Sequence, residues 1–203
     1  MRHVALPVLA AFALWYFAFQ TEIWNFWARL SLAAALLAGI ALVRAPDPTQ
    51  LFRVRGRDII IGVASALVLY AIFWLGKQIA PVILPFAPAQ ISSVYANREQ
   101  LDLVWIGLLL FFLVGPGEEV FWRGYLQRRL EEHFGAPVAL FVATAIYAFV
   151  HIWTLNLILI LAALVAGLFW GWLYQREQRL MAVMISHALW DVLIFVLFPL
   201  GGT

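Results

Sequence analysis

Of 203 residues, 65% are hydrophobic and only 12% charged, about half the charged share of a soluble domain, and the mean hydropathy is +0.93. The net charge is only +2, and the basic residues form no patch suited to a phosphate backbone, which argues against a nucleic-acid partner. Cysteine is absent, so disulfides, thiolate metal sites and a cysteine nucleophile are excluded.

At about 20 residues per crossing, this length accommodates a single domain over 1–203 with six to eight spans. The first apolar run, Val4 to Gln20, follows Arg2 and His3. It reads as a retained helix rather than a secretory signal, because it is aromatic to its end and a second apolar segment follows almost without a loop. That second span, Trp24 to Val43, is interrupted by Arg29, which is expected to snorkel toward an interface. Trp15, Tyr16, Trp24 and Trp27 gather at the shared end, as an interfacial belt would. A polar loop follows, with Pro46 and Pro48 as breakers and Arg44, Arg53, Arg55 and Arg57 as its cations.

The third span, Ile59 to Gly76, ends at Lys77, and the stretch from Pro81 to Gln100 is irregular with room for a short interfacial helix. The fourth starts near Asp102, is broken or bent at Gly115-Pro116-Gly117, and continues through Glu118 and Glu119 to about His133. Gly135 and Pro137 mark a stop and a start. Pro137 to Trp153, Asn156 to Gln175 and Leu180 to Leu200 complete the set. The expected fold is therefore all-α, a polytopic membrane helix bundle of about seven transmembrane helices with an extra interfacial one.

The cations test this division. With the N-terminus in the cytoplasm, the inner side holds Arg2, Arg44, Arg53, Arg55, Arg57, Arg128, Arg129, Arg176 and Arg179, and the outer loops only Lys77 and Arg98. The positive-inside rule then predicts a cytoplasmic N-terminus and an outer C-terminus, in what is expected to be a prokaryotic inner membrane.

Ionisable groups inside apolar segments are expensive and point to function. Glu118 lies roughly 15 Å along its helix from Arg128, His151 roughly 20 Å from Pro137, and His187 roughly 10 Å from Leu180. Asp191 sits one turn beyond His187 on the same face. All four fall inside a slab about 30 Å thick, so three helices can deliver them to one cavity. Each has a plainer reading: the two glutamates as caps of an interfacial helix over Val120 to Phe134, His151 as a helix-end residue bonded to a carbonyl, His187 and Asp191 as an intrahelical pair. Their agreement in depth favours a site. Arg123 follows Glu119 at the favourable i, i+4 spacing and reads as its neutralising partner. Ala163, Gly167 and Gly171 read as a close-packing stripe, the tryptophans as belt and packing residues, and His3 and His133 as solvated.

A carboxylate and an imidazole can share a water and take its proton during attack on a carbonyl, while a second imidazole stabilises the oxyanion. Ser186 would point away from His187, which leaves a serine nucleophile unsupported. A zinc ion held by Glu118, His151 and His187 is the serious alternative, although HExxH is absent. A transporter would more often show paired repeats, and none stands out.

EEVFWR (Glu118 to Arg123), YAFVH (Tyr147 to His151) and HALWD (His187 to Asp191) together resemble the motifs of the CAAX-protease and bacteriocin-processing family: EExxxR, FxxxH and HxxxN or HxxxD, on successive membrane helices. The resemblance covers Gly115 to Asp191, within a motif-bearing core of about 101–200. It implies a metal-independent glutamic intramembrane endopeptidase with no cofactor, acting on a membrane-anchored protein or peptide. Glu118 matches the catalytic glutamate and His151 its water-activating partner. His187 and Asp191 match the oxyanion pair, and Glu119 and Arg123 the supporting positions. Tyr147 stands where the pattern prefers Phe, and Asp191 where prenyl-processing members carry Asn, so Asp191 is expected to orient His187 by accepting its N–H. Sorting-signal processing by the same site and a non-catalytic immunity or binding role are the alternative functions.

Overall fold

The computed structural model describes residues 2–45 and 52–201. In chain order the helices are α1 (Arg2–Gln20), α2 (Phe26–Arg44), α3 (Gly56–Ile83) and the short α4 (Ala87–Tyr95), followed by a 3-10 turn, Ala96–Gln100. Then come α5 (Leu103–Phe134), α6 (Ala136–Phe149, prolonged by a 3-10 turn Val150–Thr154), α7 (Leu157–Glu177) and α8 (Leu180–Val192, prolonged by a π turn Leu193–Leu197). No strand occurs among the described residues. Among the described residues, six helices are long and apolar enough to cross a membrane, and the apolar part of α1, Val4–Gln20, is somewhat shorter. The protein is an integral membrane protein with an all-helical bundle. Pro46 and Pro48 lie outside the described residues.

Side-chain caps set three starts: Asn25 accepts from the Ala28 N–H, Asp102 from Val104 and Asn156 from Leu159. Gly135, at φ 79°, turns the chain between α5 and α6. The expected interfacial helix is α4, pinned to the C-terminal end by its Tyr95 hydroxyl, which accepts the Leu200 N–H at 3.0 Å. Burial pushes that phenol up to about 12, so it stays neutral.

Three expectations about the helix ends change. The third helix does not stop at Gly76 but runs through Lys77 to Ile83, with Pro81 in its last turn. Arg29 does not snorkel: it is 7% exposed, within the covered first turns of α2, and its Nε and Nη1 have no hydrogen-bond partner. Of the supposed aromatic belt, Tyr16 and Trp24 are exposed, but Trp15 and Trp27 are buried inside the bundle.

The fourth span is not broken at Gly115-Pro116-Gly117. π turns at Leu110–Val114 and Trp122–Gln127 flank that stretch, and the Gly115 N–H reaches back five residues to the Leu110 carbonyl. The widened turn accommodates the proline, which has no N–H to give and a ring that would strike a regular helix. The glycines then bring backbones together. A Cβ at Gly115 would lie 3.2 Å from the Ala188 backbone on α8, and one at Gly117 3.2 Å from the Ala34 carbonyl oxygen on α2. Helix α5 is therefore wedged at the centre, between α2 and α8, at the turn that carries Glu118. The α7 stripe packs as expected, with a Cβ on Gly167 coming 3.0 Å from Thr144 Cγ2 and one on Gly171 2.6 Å from Leu140 Cδ1.

The bundle's two ends differ chemically. At one, Arg179 pairs with Asp58 and the Arg53 carbonyl, Arg57 with Glu177 at 2.9 Å, and Arg129 reaches the Arg44 carbonyl. At the other, neutral amides and indoles do the joining: Gln100 accepts from the Phe26 N–H, Trp27 donates to the Asn97 carbonyl, Asn156 donates to the Gln90 carbonyl, and Gln20 donates to the Trp153 carbonyl.

Replacing Gly117 by Val should cost about 1–3 kcal/mol through overpacking against backbone that cannot yield. Gly39→Ala, on α2 with nothing within 4 Å of the new methyl, should be neutral or stabilise by up to about 1 kcal/mol. Thermal unfolding of the two variants in detergent separates them, and equal midpoints would contradict the wedge.

Candidate active site

Adjacent residues on a helix point about 100° apart, so Glu118 and Glu119 cannot share a destination. Glu119 is fully buried and turns into the interior between α5, α7 and α8. Its Oε1 accepts from Arg123 Nη1 and from His187 Nδ1, each at 2.7 Å. Arg123 also donates to the Gly167 carbonyl at 3.1 Å, and its guanidinium lies 4.9 Å from the Tyr147 ring centre and 5.6 Å from that of Trp170. Trp170 stacks on the His187 ring at 3.7 Å, while its indole N–H donates to Ser186. One turn beyond Arg123, Gln127 donates to the Gly171 carbonyl at 2.9 Å. The stripe glycines thus also accept hydrogen bonds, which is possible because α5 and α7 run so close.

Glu118 turns the other way, into a cavity of about 370 Å³ also lined by Tyr147, His151, His187 and Asp191. It is 6% exposed, and its Oε2 is buried without a hydrogen-bond partner. Glu119 Oε2 is likewise buried without a partner, but it lies in the ion-paired interior, whereas the Glu118 oxygen lines the cavity and can serve what enters it. The reading of the glutamate pair as caps of an interfacial helix is overturned, since both are buried mid-helix.

His151 lies in the 3-10 turn that ends α6. Its Nδ1 faces the Tyr147 carbonyl at 2.9 Å, and its Nε2 faces the Trp15 indole nitrogen at 3.3 Å. A carbonyl can only accept and an indole N–H can only donate, so the proton sits on Nδ1 and Nε2 offers the lone pair. That lone pair is covered by a bond at the long end of the normal range. For His187 the Nδ1 proton goes to Glu119, and Nε2 faces Asp191 Oδ2 at 3.6 Å, beyond a hydrogen bond. The ring is therefore oriented by Glu119, not by Asp191 as expected. With Nδ1 committed, it can offer Nε2–H only in its doubly protonated form, whose charge faces two carboxylates.

The structure brings Glu118, His151, His187 and Asp191 to one cavity and sets Glu119 and Arg123 beneath it. Sequence reasoning missed Trp15 and Trp170. Trp170 had a signal of sorts, being one turn from the Gly167 that packs α7 against α6. Trp15 had only its place a full turn inside the end of α1, and nothing in the sequence couples it to a histidine 136 positions away. Among the described residues no three His, Asp or Glu side chains are grouped to hold a metal ion. The zinc set of Glu118, His151 and His187 would require His151 to release Trp15. As it stands, the cavity offers a free carboxylate oxygen, two imidazoles and a third carboxyl group, the functional groups needed for proton transfer to and from a carbonyl centre.

Residues 100–193 match the family model of the type II CAAX prenyl endopeptidase Rce1-like proteins, in agreement with the three motifs. Comparison with curated proteins and with solved structures gives no match. The matched stretch is less than half of the chain.

Removing one partner of a buried ion pair strands the other charge, at about 3–5 kcal/mol. Glu119→Ala should therefore lower the unfolding midpoint in detergent strongly, whereas Glu118→Gln, at a cavity wall with no ion pair, should leave it nearly unchanged. Because Arg123 is the stranded charge, adding Arg123→Leu to Glu119→Ala should recover part of the loss; strict additivity would count against the shared oxygen as the support of the site.

Proposed function

We propose that this protein is a glutamic-type intramembrane endopeptidase that hydrolyses a peptide bond of a membrane-anchored protein or peptide in a prokaryotic inner membrane, as one domain and without a metal. The observation that carries the reading is the unpartnered Glu118 oxygen sharing one buried cavity with His151, His187 and Asp191.

In this reading a water enters between Glu118 and His151. Glu118 takes its proton as the oxygen attacks the scissile carbonyl carbon, and His151, its tautomer held by the Tyr147 carbonyl, orients the water through Nε2 once Trp15 yields. Negative charge gathers on the carbonyl oxygen, where His187 Nε2–H donates; Glu119 and Arg123 act only through His187, by fixing its ring. Asp191 faces the same nitrogen and offsets the imidazolium charge. Collapse of the tetrahedral intermediate breaks the C–N bond, and Glu118 returns its proton to the leaving amine. The burial of Glu118, His151, His187 and Asp191 strengthens each of these interactions.

A general base of this kind contributes about 10²–10⁴-fold. Glu118→Gln should cut turnover by at least that, with insertion and thermal midpoint unchanged, and the uncleaved membrane protein should accumulate in cells. Undiminished biological activity in that variant would instead favour a binding or immunity role. In the same cleavage assay a chelator should have no effect; loss of activity that added zinc restores would establish the metal alternative.

Trp15→Phe keeps an aromatic ring against Trp122 and His151 but removes the N–H that covers Nε2. One ordinary hydrogen bond is worth about 0.5–1.5 kcal/mol, so turnover should be held or raised, by up to about tenfold. A fall of that size with an unchanged melting profile would mean that the indole N–H itself is needed in the reaction.

A further inference from the structure

The cavity is confined to one half of the bundle. Helix α1 lines it only from Phe19 onward, α2 only as far as Leu30, α5 only to Glu118, α6 only from Tyr147, α7 only to Ala166 and α8 only from His187. Each limit falls on the same side, away from the end where α2, α5 and α7 finish and α3 and α8 begin. Toward that end the interior is closed by the Glu119–Arg123–His187 contacts, by Gln127 on the Gly171 carbonyl, and by Trp122 and Trp170, which are at most 1% exposed. Toward the other end the lining turns polar and neutral, with Gln20, Asn97, Thr154 and Asn156.

The closed end is also the cationic one. Eight of the chain's 13 basic residues lie there, Arg44, Arg53, Arg55, Arg57, Arg128, Arg129, Arg176 and Arg179, several tied together by direct contacts. The open end carries Lys77 and Arg98 against Glu22, Glu99 and Asp102. Arginine excess marks the cytoplasmic side of a membrane protein. The open end of the cavity then belongs to the opposite side.

We infer that the substrate is reached from the non-cytoplasmic face: an exported polypeptide cut within the outer end of its apolar membrane anchor, and not a C-terminally lipidated protein presented from the cytoplasm. This rests on the peptidase reading. His187 lies roughly 15 Å along α8 from Leu197, and an extended chain covers about 3.3 Å per residue, so about five residues of the anchor must unwind to reach it. A second cavity of about 300 Å³ shares the wall formed by Leu159, Ala162 and Trp190, and apart from Lys77 and Tyr95 its lining is apolar. It offers the anchor's apolar side chains a place beside the reacting bond.

The natural lack of cysteine makes the direction testable. Glu99→Cys, beside the polar mouth, and His133→Cys, at the arginine end, are each made alone and treated in intact cells with a membrane-impermeant maleimide. Labelling of Glu99→Cys in intact cells, with no labelling of His133→Cys until lysis, is expected. In parallel, new protein termini are compared between cells with the wild-type chain and with Glu118→Gln, and those lost should map to the outer end of membrane anchors. Reversed labelling, or lost termini that map to cytoplasmic segments, overturns the inference and leaves the peptidase reading standing. Identical termini in the two strains overturn the peptidase reading, and the substrate assignment falls with it, while the labelling still decides which way the cavity opens.

Discussion

A single carboxylate oxygen, Glu119 Oε1, holds this site together. Both the Arg123 guanidinium and the His187 ring end on it at 2.7 Å, and it is fully buried. Placing a carboxylate inside a membrane bundle is unfavourable unless neutralised and hydrogen-bonded. Arg123 meets that condition; its Nη2 donates to the Gly167 carbonyl, and its guanidinium lies near the Tyr147 and Trp170 rings. The cost of burying one charge thus aligns three helices: α5 through Glu119 and Arg123, α7 through Gly167 and Trp170, and α8 through His187.

Two adjacent glutamates then divide the labour by helix geometry alone. The turn that points Glu119 into the ionic knot points Glu118 into the cavity. Glu118 is spared a partner because Glu119 has claimed the arginine. The backbone contacts at Gly115 and Gly117 hold that turn against α8 and α2. A large side chain at Gly115 would push this turn away from α8 and its His187, and one at Gly117 would push it away from α2.

Much of this was legible in the sequence because the relevant periodicities are short. Span order followed from runs of about 20 apolar residues, and the Glu119–Arg123 pair from i, i+4 spacing. The convergence of Glu118, His151, His187 and Asp191 followed from counting rise along three helices. Three features were not legible. Pro116 read as a break or a bend because a π turn, which absorbs the missing N–H, leaves no periodic signature. The partner of His187 was assigned to Asp191, four residues away, when an equally good acceptor sat 68 positions earlier. Burial of Trp15, Trp27 and Arg29 depends on which neighbours cover the ends of α1 and α2, and that is a tertiary fact.

The matched stretch, 100–193, contains the charged machinery but not the whole cavity. Phe19, Gln20, Phe26, Trp27, Leu30 and Asn97 come from α1, α2 and the turn after α4, and Trp15 from α1 covers the His151 lone pair. Proton-handling groups need sub-ångström placement, which the α5–α6–α7–α8 packing and its buried ion pair provide. Selection of what reaches them needs only a shaped and suitably polar mouth, which Gln20 and Asn97 of the first hundred residues form together with Thr154 and Asn156. The N-terminal helices can therefore vary one side of the mouth and the cover over His151 without disturbing the Glu119 knot. In the proposed reading the proton-handling groups come from the later helices, and access to them is shared between the later and the earlier ones.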